Sequence, residues 1–270
     1  MTAPRILGAR ILGAGLLGPG LPSWRDGGPI LAGGEAFVPG EVEPPAPAKL
    51  TSRERRRTSF AVRLALAVAE EAVEGAAVDP KTLPSVFGWA HGDGAVVQKI
   101  LEVLASSERH VSPTSFHNSV HNVAVGYWTI MSGSHEPSSS IAAAEDTFPA
   151  GLLKALAQVQ CEQRPVLLAV CDSPFPEPLN SVCEVGAPFG FALVLAPPDH
   201  AGGLAGLSAT YRTGAPSTLE PPSPPELQPL WAKNPAARAL PLLQHLARGE
   251  AAALQVPYGS QGHLDLLLEQ

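Results

Sequence analysis

Glu145 and Asp146 stand where a run of small residues (138–144) meets a helix predicted over residues 148–159. The unpaired amides and the dipole of a helix N-terminus stabilise negative charge, by about 0.3–1 kcal/mol at exposed sites. N-terminal capping is therefore one interpretation of the two acids. The same electrostatics lower the pKa of a thiol at such a turn. A carboxylate there keeps the negative charge but cannot form a thioester.

The histidines His117 and His121 are a second candidate site, because residues four apart share one face of a helix, as metal-binding histidines do. Asn118 stands where the zinc-protease pattern requires a glutamate, and no third ligand follows nearby. We therefore favour a structural or channel-lining role for the pair and predict no metal site.

Two further motifs do not support chemistry. Residues 13–18 match the dinucleotide fingerprint G-x-G-x-x-G, which needs a helix that starts inside the motif. Pro19 and Pro22 would interrupt that helix within its first turns. No G-x-S-x-G elbow occurs, and Cys161 and Cys171 fall at a predicted helix end and in a predicted strand, where a buried thiol is inert. We predict neither a cofactor nor a nucleophile.

Composition restricts the class of protein. Of the 270 residues, 45% are hydrophobic and 16% are charged, and the formal net charge is -7. These values favour a globular protein and disfavour nucleic-acid and anionic-membrane partners. The one basic run, residues 53–57, is interpreted as a solvated helix start. Three widely spaced cysteines, and no run of about 18 apolar residues, predict a cytoplasmic protein without a membrane span.

The apolar periodicity predicts strands that alternate with helices, which favours an α/β layered fold. The predicted strands cover residues 4–17, 85–90, 166–171, 189–196 and 206–212, the predicted helices cover 59–75, 95–104, 148–159 and 235–248, and an apolar helix and a short strand precede residue 145. Residues 252–256 and 263–268 predict a small hairpin, and the proline-rich residues 216–229 predict an ordered loop. We expect one unit over residues 1–200 and a C-terminal extension over residues 201–270.

Three segments carry a resemblance to a known family. Residues 111–113 read V-S-P, residues 122–126 read N-V-A-V-G and residues 140–145 read S-I-A-A-A-E. This order resembles the V-S-P, N-x-x-x-G and S-V-A-T-A-C segments of the β-ketoacyl synthases, and residues 57–80 resemble a helix of that family. The resemblance implies a truncated thiolase-like (ketosynthase) α/β fold, mainly the N-terminal half with a short C-terminal extension.

Two departures from the family pattern decide which function the resemblance implies. Glu145 occupies the position of the family's nucleophilic cysteine, and nothing after residue 200 is similar to the family's histidine motifs. The chain thus resembles the short ketosynthase-like chain-length factors of aryl-polyene and related polyketide synthesis. The resemblance implies a non-catalytic subunit that forms a heterodimer with an active ketosynthase and shapes its acyl tunnel. The acyl carrier protein would meet the chain through that complex.

The resemblance also implies two surfaces. The dimer-interface candidates are Ser138, Ser139, Ser140, Ile141, Ala142 and Ala143. The acyl-tunnel gate candidates are Phe116, His117, Val120, His121 and Ala124. Two alternatives stay open at this point: Glu145 promotes decarboxylation of malonyl-carrier protein, or the chain is an unrelated α/β binding protein whose acidic turn is only a cap.

Overall fold

Eight strands form one mixed sheet in the computed structural model, which describes residues 6–43, 45–107 and 109–270. The strands are β1 (Ile6–Leu17), β2 (Ser85–Gly88), β3 (Ser138–Ile141), β4 (Val166–Asp172), β5 (Phe189–Ala196), β6 (Ala205–Thr213), β7 (Ala252–Pro257) and β8 (Gly262–Glu269). The helices are α1 (Trp24–Leu31), α2 (Ser52–Arg55), α3 (Phe60–Ala76), α4 (Gly94–Ala105), α5 (Pro113–Asn118), α6 (Val123–Ser132), α7 (Thr147–Glu162), α8 (Gln228–Lys233) and α9 (Leu240–Arg248). No helix within the described ranges is long and apolar enough to cross a membrane.

The sheet has the strand order β3-β2-β4-β5-β1-β6-β8-β7. Strand β2 lies parallel to β3 and β4, whereas every other neighbouring pair is antiparallel. All residues of β4 and β5 are buried, as continuous apolar runs predict for strands that are covered on both faces. The division of the chain at residue 200 stays a prediction, and β6, β7 and β8 extend the same sheet across it.

Helices cover both faces of this sheet. Helices α3 and α6 enclose one apolar cluster, which contains Phe87 and Trp89. Helices α1, α7 and α9 enclose the other, in which Phe148 packs edge-on against Phe191 with ring centres 5.6 Å apart. The predicted α/β layered class is therefore confirmed, and α7, the helix that follows the acidic turn, is anchored in the core.

Helix α3 approaches β1 at backbone distance. A Cβ atom at Gly13 or Gly15 would overlap the carbonyl oxygens of Ala72 and Val68, respectively. Both glycines lie inside a strand rather than at a strand-to-helix turn. The glycine spacing that imitates a dinucleotide fingerprint therefore serves close helix–strand packing, which is the physical reason to reject a nucleotide site.

Helix α1 lies between the predicted strand 4–17 and the predicted helix 59–75, where the sequence predicts no helix. Its residues, WRDGGPIL, include two glycines and a proline, which lower helix propensity. The carboxylate of Glu71 on α3 accepts hydrogen bonds from the backbone N–H groups of Trp24 (2.7 Å) and Arg25 (3.1 Å). Since these donors have no partner inside the helix, a tertiary contact compensates for the weak propensity.

The C-terminal helix is shorter than predicted. The interval 235–248 consists of a 3-10 turn, Ala236–Ala239, followed by α9. Pro241 lacks an N–H group and fits only the first turn of an α-helix, so α9 begins at Leu240. The predicted terminal hairpin is present as β7 and β8, which pair antiparallel.

We expect Gly15→Ala to destabilise the fold, because the added methyl group must push α3 away from β1. Overpacking of this kind lowers the free energy of unfolding by about 1–3 kcal/mol. Gly8→Ala in the same strand is the control, since the nearest neighbour of its Cβ would be Cγ of Pro198 at 3.4 Å, an ordinary contact. Urea unfolding measures both changes, and equal losses would contradict the close approach.

Candidate functional site

The acidic turn joins β3 to α7. Residues Ala144–Asp146 form a 3-10 turn that runs directly into α7. Ala144 has a φ of 47°, a left-handed conformation that is unfavourable for a residue with a Cβ atom. The Oγ1 of Thr147 donates to the Ala144 carbonyl at 2.7 Å and accepts from the Ala143 N–H at 3.1 Å. These bonds hold a sharp strand-to-helix turn that displays the side chain of residue 145.

The carboxylates of the turn bond to the C-terminal segment instead of capping the helix. Glu145 accepts a hydrogen bond from Nη2 of Arg238 at 3.0 Å, while 60% of its side chain stays exposed. Asp146 accepts from the N–H of Gly259 at 2.9 Å. Neither side chain caps α7, so the capping interpretation is wrong. An exposed ion pair stabilises a fold by at most about 1 kcal/mol, so its effect is mainly to orient Glu145.

Arg238 is held in place by its own neighbours. Its guanidinium carbon lies 5.7 Å from the ring centre of Trp231. Asn234 is fully buried, and its Oδ1 accepts from two backbone N–H groups of the 3-10 turn that carries Arg238. The Nδ2 of Asn234 donates to the carbonyl of Asp172 at 3.2 Å. The partner of Glu145 is therefore tied to the end of β4.

Asp172 is a buried acid beside this segment. Its Oδ1 accepts from the N–H of Ala90 at 2.7 Å, and its Oδ2 has no partner in the described part of the chain. Burial raises the pKa of Asp172 to about 8, and the charge of Glu145 acts in the same direction. The carboxyl group is therefore mostly protonated at neutral pH. Sequence reasoning missed this residue, although an aspartate that ends the apolar run VLLAVCD is a usable signal.

The two histidines of the predicted pair separate. Helix α5 ends at Asn118, so His121 lies beyond it and the two side chains do not share a helix face. His121 Nδ1 lies 2.8 Å from Oγ of Ser140, and Nε2 lies 3.0 Å from the carbonyl of Trp89. His117 packs edge-on against an aromatic ring of α6, 6.1 Å between centres. Both ring nitrogens of His121 are thus used inside the protein.

The remaining gate candidates differ in exposure. Phe116 is 67% exposed and Val120 is 42% exposed. Ala124, by contrast, is buried in the cluster beneath α6. The side chains that reach the surface are therefore those of α5 and of the connection that follows it.

Strand β3 forms one edge of the sheet and pairs only with β2 in the described part of the chain. Its residues, Ser138–Ile141, are exposed or half-buried. Ala142 is exposed and Ala143 half-buried beyond the end of the strand. The interface candidates therefore occupy an unpaired edge, directly before the acidic turn.

Helix α4 is apolar yet mostly uncovered. Its sequence is GAVVQKILEVLA, and only Gly94 is buried. Leu101 and Leu104 are 49% and 48% exposed. Helix α4 contacts α5, and the connection after α5 bonds to β3. We call β3, α4, α5 and the connection of residues 119–122 together the edge surface.

A family profile described as "Beta-ketoacyl synthase, N-terminal domain" matches residues 32–255, more than half of the chain. The chain therefore belongs to the β-ketoacyl synthase N-terminal domain family, as its motifs predict. No curated protein sequence matches the chain.

Solved structures of ketosynthases have the same fold. A ketosynthase in complex with its chain length factor from Xenorhabdus doucetiae is 25% identical, with 97% of this chain and 99% of that chain covered at a TM-score of 0.72. The ishigamide ketosynthase/chain length factor is 14% identical, with 97% and 99% covered at a TM-score of 0.73. A type II polyketide synthase acyl-carrier protein in complex with its ketosynthase is 11% identical, with 98% and 99% covered at 0.74. The predicted thiolase-like ketosynthase fold is confirmed.

We expect the fold to lose stability as the pH rises from about 4 to 8. Across that interval the folded chain keeps the Asp172 proton, which the unfolded chain releases near the ordinary value of 3.8. Each pH unit therefore lowers the free energy of unfolding, by up to about 1.4 kcal/mol from this group. Asp172→Asn keeps the acceptor for Ala90 and should flatten this dependence. Urea unfolding at several pH values compares the slopes, and parallel slopes would refute a protonated Asp172.

Proposed function

We propose that the chain is a cytoplasmic, non-catalytic chain-length factor that pairs with an active ketosynthase and shapes its acyl tunnel in aryl-polyene or related polyketide synthesis. The observation that carries this proposal is the turn at residue 145. A strained strand-to-helix turn is present, yet it displays a carboxylate in an ion pair with Arg238. The relative from Xenorhabdus doucetiae, a ketosynthase in complex with its chain length factor, supports the pairing.

Neither Cys171 nor Cys161 replaces the missing nucleophile. Cys171 is buried, and burial raises the pKa of its thiol, which disfavours the reactive thiolate. Cys161 lies in the last turn of α7, about 20 Å along the helix from the acidic turn. The ion pair keeps Glu145 engaged, so it gives no support to decarboxylation by that residue.

The edge surface supports a permanent partner. Permanent interfaces resemble a protein core cut in half, and α4 presents such a face, with Leu101 and Leu104 about half exposed. Strand β3 adds hydrogen-bonding groups. The carbonyl groups of Pro137 and Ile141 accept from the segment that contains β2. Because backbone groups alternate in direction along a strand, those of the intervening residues 138 and 140 point outward and can pair with a partner strand.

The exposed residues of α5 and its connection are the gate in this proposal. Phe116, His117 and Val120 lie on the edge surface. In a heterodimer that buries this surface, their side chains would face the partner. We propose that they close the far end of the partner's acyl tunnel, so that their volume limits the length of the growing chain.

We expect Leu101→Asp to weaken the complex with the cognate ketosynthase about tenfold or more, because a charge would enter a buried apolar face. Leu267→Asp is the matched control, since this leucine is 43% exposed on β8, towards the opposite end of the sheet. Co-purification and titration calorimetry measure both affinities. Equal losses in the two variants, or a wild-type chain that binds no ketosynthase, would refute the proposal.

A basic concavity supports contact with the acyl carrier protein. Arg55, Arg56 and Arg63 line a concavity of about 340 Å³. Arg55 donates to the carbonyl of Leu50 at 2.8 Å, and Arg63 donates to the carbonyl of Arg55 at 3.0 Å. No carboxylate in the described ranges forms a salt bridge with the arginines of residues 53–63.

This concavity gives the basic run a role beyond that of a solvated helix start. In a chain with a net charge of -7, a group of unpaired guanidinium groups creates a local positive field. Such a field favours an acidic protein face or a phosphate group. We propose that the acyl carrier protein docks against this concavity within the heterodimer.

We expect Arg56→Glu to weaken binding of the acyl carrier protein to the heterodimer by roughly tenfold at low ionic strength, and the effect should shrink as salt screens the charges. Arg25→Glu is the control, since Arg25 is exposed at the start of α1, outside the concavity. Titration of the carrier protein at two salt concentrations measures the affinities. If both charge reversals act alike, the concavity is not the docking site.

A further inference from the structure

His121 lies between the gate and the interface strand. It belongs to the connection of four residues, 119–122, that joins α5 to α6. The gate candidate Val120 precedes it directly, and Ser140, to which it bonds, is a residue of β3. Because His121 bonds to β3 and is adjacent in sequence to Val120, a shift of the strand can shift the gate residues.

The contacts of His121 form a closed network. Trp89 Nε1 donates to the His121 carbonyl at 2.8 Å, and Oγ of Ser140 donates to the same carbonyl at 2.9 Å. The imidazole contacts the same two residues, because Nε2 lies 3.0 Å from the Trp89 carbonyl and Nδ1 lies 2.8 Å from Oγ of Ser140. Main chain and side chain of one residue are therefore each tied to the same two partners.

The chemistry of the partners fixes the orientation of the ring. The Trp89 carbonyl can only accept, so Nε2 carries a proton and donates. The hydroxyl group of Ser140 has one proton and lies within hydrogen-bond distance of both the His121 carbonyl and Nδ1. It donates to one of these two acceptors when Nδ1 is unprotonated, and it fills both contacts at once only when Nδ1 carries a proton and donates to Oγ. The Trp89 ring is 2% exposed and packs edge-on against the imidazole, 5.9 Å between centres. His121 cannot rotate without breaking hydrogen bonds at both ring nitrogens.

We propose that His121 is a positioning residue that fixes the gate to β3, so that pairing of a partner with the strand sets the position of Phe116 and Val120. This inference rests on the proposed function. In it, the imidazole does not enter the tunnel as a gate side chain. The buried Trp89 fixes one side of the imidazole, and Ser140 ties the other side to β3. A shift of β3 would therefore move the backbone of residues 119–122, and with it Val120 and Phe116.

The test compares variants of the chain in its complex with the cognate ketosynthase. His121→Phe keeps a planar ring and loses both ring hydrogen bonds. His121→Gln retains one donor and one acceptor on the side chain. His135→Phe is the control, because His135 is exposed in the loop before β3 and forms no hydrogen bond with the described residues. The measurements are the affinity for the ketosynthase and the distribution of product chain lengths.

We expect His121→Phe to lower the share of product at the dominant chain length by about twofold or more, and to broaden the distribution. His121→Gln should restore much of the wild-type distribution, and His135→Phe should leave it unchanged. Ser140→Ala removes the other side of the network and should reproduce the effect of His121→Phe, without an additional shift in the double variant. If His121→Phe fails to fold, Ser140→Ala still tests the same hydrogen-bond network.

Different outcomes overturn the positioning role of His121 and the proposed function. If the wild-type complex controls chain length but His121→Phe and Ser140→Ala leave the distribution unchanged, the positioning role is overturned and the proposed function stands. If glutamine restores nothing although the complex stays intact, ring hydrogen bonding is not the cause and the positioning role is likewise overturned. If the wild-type chain neither binds a ketosynthase nor alters product length, the proposed function itself fails.

Discussion

The turn at residues 143–147 keeps its shape independently of the side chain that it displays. The Thr147 hydroxyl satisfies the carbonyl of Ala144 and the N–H of Ala143, and Phe148 fastens the following helix into the core. Because the strained backbone depends on these groups, the shape of the turn does not depend on the side chain of residue 145. The geometry of the turn and the chemistry of the residue that it displays are therefore separable.

Several polar side chains that form long-range hydrogen bonds lie where the parallel strands β2, β3 and β4 end. Asp172 binds the backbone after β2, Asn234 binds the end of β4, and Arg238 reaches Glu145. The segment after residue 230 therefore lies against the acidic turn. The N–H of Gly259 also donates a hydrogen bond to the carboxylate of Asp146. Chain that follows the proline-rich loop thus contacts both acids of the turn.

The sequence predicts best what depends on local pattern. Strand β5 has the bounds that its apolar run indicates, residues 189–196, because complete burial needs an unbroken apolar stretch. The sequence predictions that fail are those that depend on contacts between residues far apart in the chain. Glu145 looks like a helix cap until Arg238, 93 positions away, is brought beside it. Sequence reasoning misses α1 for the same reason, because the carboxylate that stabilises the start of this helix belongs to Glu71 of α3. Asp172 escapes notice because spacing alone does not reveal that a carboxyl group is enclosed.

The exposed leucines of α4 have a consequence for the life of the protein in the cell. In the proposed pairing, a chain that has not met a ketosynthase would expose the apolar face of α4 to other proteins. Strand β3 has only four residues, three of them serine, which limits uncontrolled strand pairing. Orphan copies with exposed apolar surface are ready substrates for chaperones and proteases. If the proposed pairing holds, the abundance of this protein would follow the supply of its partner, and degradation of the excess would set the stoichiometry.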